Sequence, residues 1–175
     1  ASIRDMTNGA WVAVNVTPAK TGTGIDGVVN SGSRLTCTSN GGSILQTLTA
    51  AASTRTYSVW LRRVTGTGTI TISQGATTLD VTASLNSSTY TRVELAASVL
   101  NAAYGITFGS SGDVIEADMN QFEAGAFASS PIPTTTATVT RNADVLTYPA
   151  SVFNASTLSG TFFSEWRMFD VADTG

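Results

Sequence analysis

Side-chain character alternates with a period of two along most of this 175-residue chain, and no other feature limits the fold so tightly. Such alternation places successive side chains on opposite faces of a β-strand. The clearest instance is TRTYSVWLRRV (54–64), where Tyr57, Val59 and Leu61 share one face and Ser58, Trp60 and Arg62 the other. WVAVNVT (11–17) sets Val12, Val14 and Val16 against Trp11, Ala13 and Asn15, with Trp11 expected to anchor this first strand in the core. SRLTCTS (33–39) and SILQTLTA (43–50) flank Asn40-Gly41-Gly42, which reads as a hairpin turn. GTITISQG (68–75) and TTLDVTA (77–83) read as another hairpin. STYTRVELA (88–96), YGITFGS (104–110) and DVIEADMNQFEAG (113–125) follow. Turn signals recur about every ten residues, as in an antiparallel sandwich. Only ASVLNAAYG (97–105) suggests a turn of helix.

Composition supports an all-β chain and narrows its partners. Hydrophobic residues make up 42 %, enough for a core, while only 12 % are charged. A net charge of −3 with no basic stripe argues against nucleic acid. The one adjacent basic pair, Arg62-Arg63, is split to opposite faces by alternation. No apolar run is long enough for a membrane-spanning helix. Histidine is absent, which removes the commonest general base and metal ligand and forbids a Ser-His-Asp triad. The single cysteine, Cys37, sits in an alternating strand and reads as an inert strand thiol.

The texture changes after Gly125. Pro131 and Pro133 exclude a central strand, and a threonine run favours extended chain. Residues 1–125 are therefore expected as a sandwich and 126–140 as a Pro/Thr-rich strap, with Gly125 at positive φ and Phe127 and Ile132 pinning the strap to the sandwich. For 141–175, two readings stand: the start of a second β-unit, or extra strands returning to the first.

The stretch from Gln121-Phe122-Glu123-Ala124-Gly125 through Pro131-Ile132-Pro133-Thr134-Thr135 to Val139-Thr140-Arg141-Asn142-Ala143-Asp144 resembles a recurrent segment of bacteriophage and prophage virion proteins of the tail or head fibre kind. Trp11 with Asn15-Val16-Thr17, the Gly24-Ile25-Asp26-Gly27 turn and the Thr56–Leu61 strand extend the likeness to about residues 8–147. Asp118 and Pro131 stand where that pattern has aromatics. The resemblance implies an antiparallel jelly-roll β-sandwich like a carbohydrate-binding module, followed by the start of a concanavalin-A-like sandwich at Gly160–Arg167. It further implies a non-enzymatic virion structural protein on the particle exterior, a fibre, spike or decoration module. Its partners would be other virion proteins, further copies of itself, trimers included, and a host-surface glycan. The alternative is a carbohydrate-binding module of a polysaccharide-degrading enzyme.

Sugar binding needs an exposed aromatic beside directed polar groups. Trp60 and Arg62 meet that need if Tyr57, Val59 and Leu61 are core, and Glu116, Asp118 and Asn120 could share their surface. The competing reading packs Trp60 under a loop or against a neighbouring subunit. Glu116 and Asp118, about 7 Å apart by strand rise, are the one close carboxylate pair a glycosidase could use; a solvated polar face is the simpler reading. Tyr90, Tyr104 and Phe108 read as core or rim. Asp5, Asp26 and Asp113 offer hard oxygens for a structural calcium, though no loop has a dense Asp pattern.

Overall fold

A computed structural model describes residues 3–132 and Thr134. The far end of the strap and the second β-unit or extra strands expected over 141–175 lie outside the described residues.

Among the described residues, ten strands form two antiparallel five-stranded sheets. β1 (Val12–Val14), β4 (Ser43–Thr47), β9 (Ala103–Phe108), β6 (Ile70–Gln74) and β7 (Thr77–Asp80) make the first, ordered β1-β4-β9-β6-β7. β2 (Val16–Gly22), β3 (Gly32–Cys37), β10 (Val114–Ala124), β5 (Ser53–Thr65) and β8 (Thr91–Val99) make the second, ordered β2-β3-β10-β5-β8. This is a jelly-roll β-sandwich: the alternation implies the sandwich, and the resemblance to virion fibre proteins implies the jelly roll. The core lies where the inner faces meet. Tyr57, Val59 and Leu61 come from β5, Leu35 and Cys37 from β3, and Ile115 and Ala117 from β10. They pack against Ile44, Ile70, Ile72, Ile106 and Phe108 of the first sheet. Each such aliphatic or aromatic side chain contributes about 1.5–3 kcal/mol by leaving water. Trp11 joins this core, its ring edge-on to Tyr104 at 5.7 Å. The Cys37 thiol is buried and donates to the Ser39 carbonyl at 3.0 Å.

The β6–β7 hairpin forms as expected, with Gln74 opposite Thr77 across a two-residue loop. Three other expectations need correction. WVAVNVT is two strands, because Asn15 takes φ 54° and hands the chain from the first sheet to the second. The segments around Asn40-Gly41-Gly42 do not pair: β3 belongs to one sheet and β4 to the other. That turn bridges the layers, and Gly42 is squeezed there, since an added Cβ would stand 2.7 Å from Cys37 Sγ and 2.8 Å from the Asn15 carbonyl oxygen. At 97–105, β8 continues to Val99 and only a turn at Leu100–Asn101 precedes β9.

A fourth correction falls within β10. Asp118 opposes Trp60 and Gln121 opposes Ser58, so two residues of β10 face one of β5. This is a β-bulge, with Met119 at φ 50°. It reverses the alternation, and Asn120 points into the sandwich, where its Oδ1 accepts from the Tyr57 hydroxyl at 2.9 Å. Among the described residues no helix is long and apolar enough to cross a membrane.

Candidate functional site

The outer face of the second sheet gathers most of the polar chemistry. Cross-strand register sets its rows. Arg34, Glu116 and Arg62 stand side by side on β3, β10 and β5. The next row holds Asp118, Trp60 and Arg92 on β10, β5 and β8. Gln121, Ser58 and Glu94 follow.

Glu116 is fully buried between two guanidinium groups. Arg34 Nη2 donates to its Oε1 at 3.0 Å, and Arg62 donates to its Oε2 from Nε at 3.2 Å and also from Nη2. Burial pushes the Glu116 carboxyl up, but the hydrogen bonds from Arg62 and Arg34 outweigh it and hold the group below the usual carboxylate range. Arg62 also lies over the Tyr90 ring, 5.1 Å from its centroid, and the Tyr90 hydroxyl donates to the Thr23 carbonyl.

Asp118 is sealed by distant chain. Arg4 Nε donates to its Oδ1 and Arg4 Nη2 to its Oδ2, both at 2.9 Å, and the Ile25 amide donates to Oδ2 at 2.9 Å. Arg4 also holds Asp26 at 2.7 Å. The N-terminal segment and the loop between β2 and β3 thus close one side of the face. Lys20 reinforces them by donating to the Arg4 and Ser31 carbonyls.

The strap closes the other side. Ser129 donates to Glu123 from its amide at 2.7 Å and from Oγ at 2.6 Å. The Ile132 amide donates to Gln121 Oε1 at 2.8 Å, and Arg92 donates to Ser58 Oγ and to the Ser129 carbonyl. Gly125 takes φ 122°, as expected of the residue that turns the chain out of β10. Ile132 is partly buried, but Phe127 is 82 % exposed and pins nothing. Polar bonds from Ser129 do that work instead.

Of the five expected site residues, Trp60 and Arg62 share the outer face, both half-buried. Glu116 and Asp118 share it too, yet they form no solvated face: both are locked in ion pairs. Asn120 does not belong to it, because the bulge turns it inward; Gln121 takes its place. Sequence reasoning passed over Arg34 and Arg92, although alternation in SRLTCTS and STYTRVELA puts each opposite its core-facing neighbour. What stays partly open between the two closures is Trp60, Arg62, Tyr90 and Arg34, the last with 42 % of its side chain exposed.

The three calcium candidates lie in separate settings. Asp5 accepts from the Thr7 amide and hydroxyl, Asp26 pairs with Arg4, and Asp113 accepts from Arg63 and the Gly68 amide. Among the described residues no three metal-ligating side chains cluster.

Comparison with solved structures places the fold among jelly-roll carbohydrate-binding modules. The CBM22-1 xylan-binding domain of Paenibacillus barcinonensis Xyn10C superposes with a TM-score of 0.51 at 10 % identity, over 73 % of this chain and 93 % of that domain. The CBM22-1 and GH10 modules of Clostridium thermocellum xylanase 10B, complexed with xylohexaose, give 0.50 at 16 % identity over 70 % of this chain. The enzymatically active domain of bacteriophage CBA120 tailspike protein 4 gives 0.47 at 13 % identity over 66 % of this chain. This chain spans 27 % of the xylanase chain and 19 % of the tailspike chain. No protein-family model matches the sequence, and no curated protein matches it.

Proposed function

We propose that this chain is a glycan-binding module on the exterior of a phage particle, part of a fibre, spike or decoration protein, and that it binds without catalysing. The observation that carries the binding reading is Trp60 standing half-open on the outer face beside Arg62, which itself lies over the Tyr90 ring. An indole ring offers an apolar platform to sugar C–H groups, and guanidinium N–H groups take hydroxyl oxygens. Support for a binding rather than cleaving role comes from Glu116. A carboxyl held below its usual range carries no proton to give a glycosidic oxygen at neutral pH.

Support for the particle role comes from the Gln121–Asp144 resemblance to virion fibre proteins. On this reading residues 1–125 are the binding sandwich, 126–140 the strap, and 141–175 the start of a further β-unit. Copies assemble by symmetry, trimers being the usual arrangement for a fibre, against other virion proteins and a host-surface glycan. A second reading keeps the same binding face in a module attached to a polysaccharide-degrading enzyme, and the fold shared with the Paenibacillus barcinonensis xylan-binding domain favours it.

Two experiments test these readings. A glycan array probed with the full chain should show saturable binding to a restricted set of sugars; a blank array contradicts the binding role. Gold-labelled antibody against the chain should decorate particles from a producing lysate; bare particles contradict the virion role and leave the enzyme-module reading in its place.

A further inference from the structure

We infer that the glycan taken by this face is acidic, bearing a carboxylate or sulfate that the Arg34 and Arg62 pair receives beside Trp60. The inference rests on the glycan-binding reading above.

The sign of the charges that reach solvent in the open area carries it. Arg34 and Arg62 converge from β3 and β5 on one carboxylate, Glu116, which lies between them on β10. That carboxylate is buried, with 1 % of its side chain exposed, whereas both guanidinium groups reach solvent. The other carboxylate next to Trp60, Asp118, is fully buried as well and faces Arg4 and the Ile25 amide rather than solvent. Asp26 shares Arg4 with Asp118, and Glu123 is turned to Ser129. The unengaged acid of this face, Glu94, lies two rows from Arg62 on the edge strand β8.

The donors also remain under-used. Arg34 gives Glu116 one bond from Nη2; its Nε–H is buried, so the exposed part of the fork is what a ligand reaches. Arg62 turns Nε and Nη2 to Glu116, which leaves Nη1. A guanidinium fork matches a carboxylate or sulfate in geometry, and charge-assisted bonds are about twice as strong as neutral ones. Both side chains keep solvent access, 42 % for Arg34 and 26 % for Arg62. A neutral sugar could use the indole but would offer the exposed guanidinium groups no charged partner.

Calorimetric titration of the full chain tests this. The probes are uronate, sialate and sulfate oligosaccharides, each paired with its methyl-esterified or desulfated neutral form. At low salt at least one acidic form should bind about tenfold tighter than its neutral partner, and that margin should shrink as salt rises. Arg34→Gln should bring the ratio of acidic to neutral affinity toward one, and Arg34→Lys should keep most of it; circular dichroism confirms that each variant is folded. Equal binding of both forms, or a ratio unmoved in Arg34→Gln, overturns the inference while leaving glycan binding in place. No binding by any probe, acidic or neutral, counts against the glycan reading itself and takes this inference with it.

Discussion

Tyr57 and Asn120 meet inside the sandwich, the tyrosine hydroxyl donating to the amide oxygen at 2.9 Å. The contact exists because β10 carries one residue more than β5 at Met119. Asn120 also ties down the N-terminus: its amide N–H donates to the Ile3 carbonyl at 2.6 Å, and so does Nδ2 at 3.3 Å. Asn120→Ala removes a buried acceptor and strands the Tyr57 hydroxyl. It should cost about 2 kcal/mol, read as a lower urea midpoint with unchanged slope.

The Arg34–Glu116–Arg62 row should make the fold acid-sensitive. Glu116 and Glu123 both have folded-state values below the usual 4.5, in each case because hydrogen bonds outweigh the upward push of burial. A depressed carboxyl stabilises the fold above its unfolded value and loses that contribution as pH falls through its folded one. The thermal midpoint should thus hold steady from neutral pH down to about 5 and fall below about 4.5. Glu116→Gln should lower the midpoint at pH 7 and flatten the acid limb. Differential scanning calorimetry across pH reads both.

Gly42 marks the passage between the sheets. With Cys37 Sγ at 2.7 Å and the Asn15 carbonyl at 2.8 Å from an added Cβ, Gly42→Ala must push backbone apart. Overpacking of this kind costs about 1–3 kcal/mol. Chemical denaturation should show that loss, whereas Gly41→Ala, with open space around it, should lose stability only through its φ of 72°.

Cys37 is the chain's one thiol and is buried in the core. Its reaction with a thiol reagent should follow opening of the fold. The rate in buffer should be at least about a hundredfold below that in denaturant, since exposure requires the opening free energy of a core strand.

Much of this architecture was legible in the alternation. It put Tyr57, Val59 and Leu61 inward and Trp60 and Arg62 outward, as the fold has them. It failed where a non-glycine residue enters the left-handed region. Asparagine tolerates that conformation, so Asn15 carried a faint signal, but nothing in Met119 announces a bulge. Asn40-Gly41-Gly42 signalled a reversal without saying which sheet receives the returning strand. The burial of Glu116 and Asp118 was hidden for another reason. Arg4, Arg34 and Ile25, which seal them, lie more than eighty residues away in sequence. Phe127 is apolar yet exposed, because the strap is held by Ser129 and Ile132 rather than by its aromatic ring.

The measurement that bears most directly on the binding face is calorimetric titration of the best array sugar into wild-type chain and into Trp60→Ala. Loss of an aromatic platform at the centre of a site costs about 2 kcal/mol or more, so affinity should drop at least about thirtyfold, with the β-rich circular dichroism spectrum unchanged. Undiminished binding by folded Trp60→Ala would contradict a glycan site on this face.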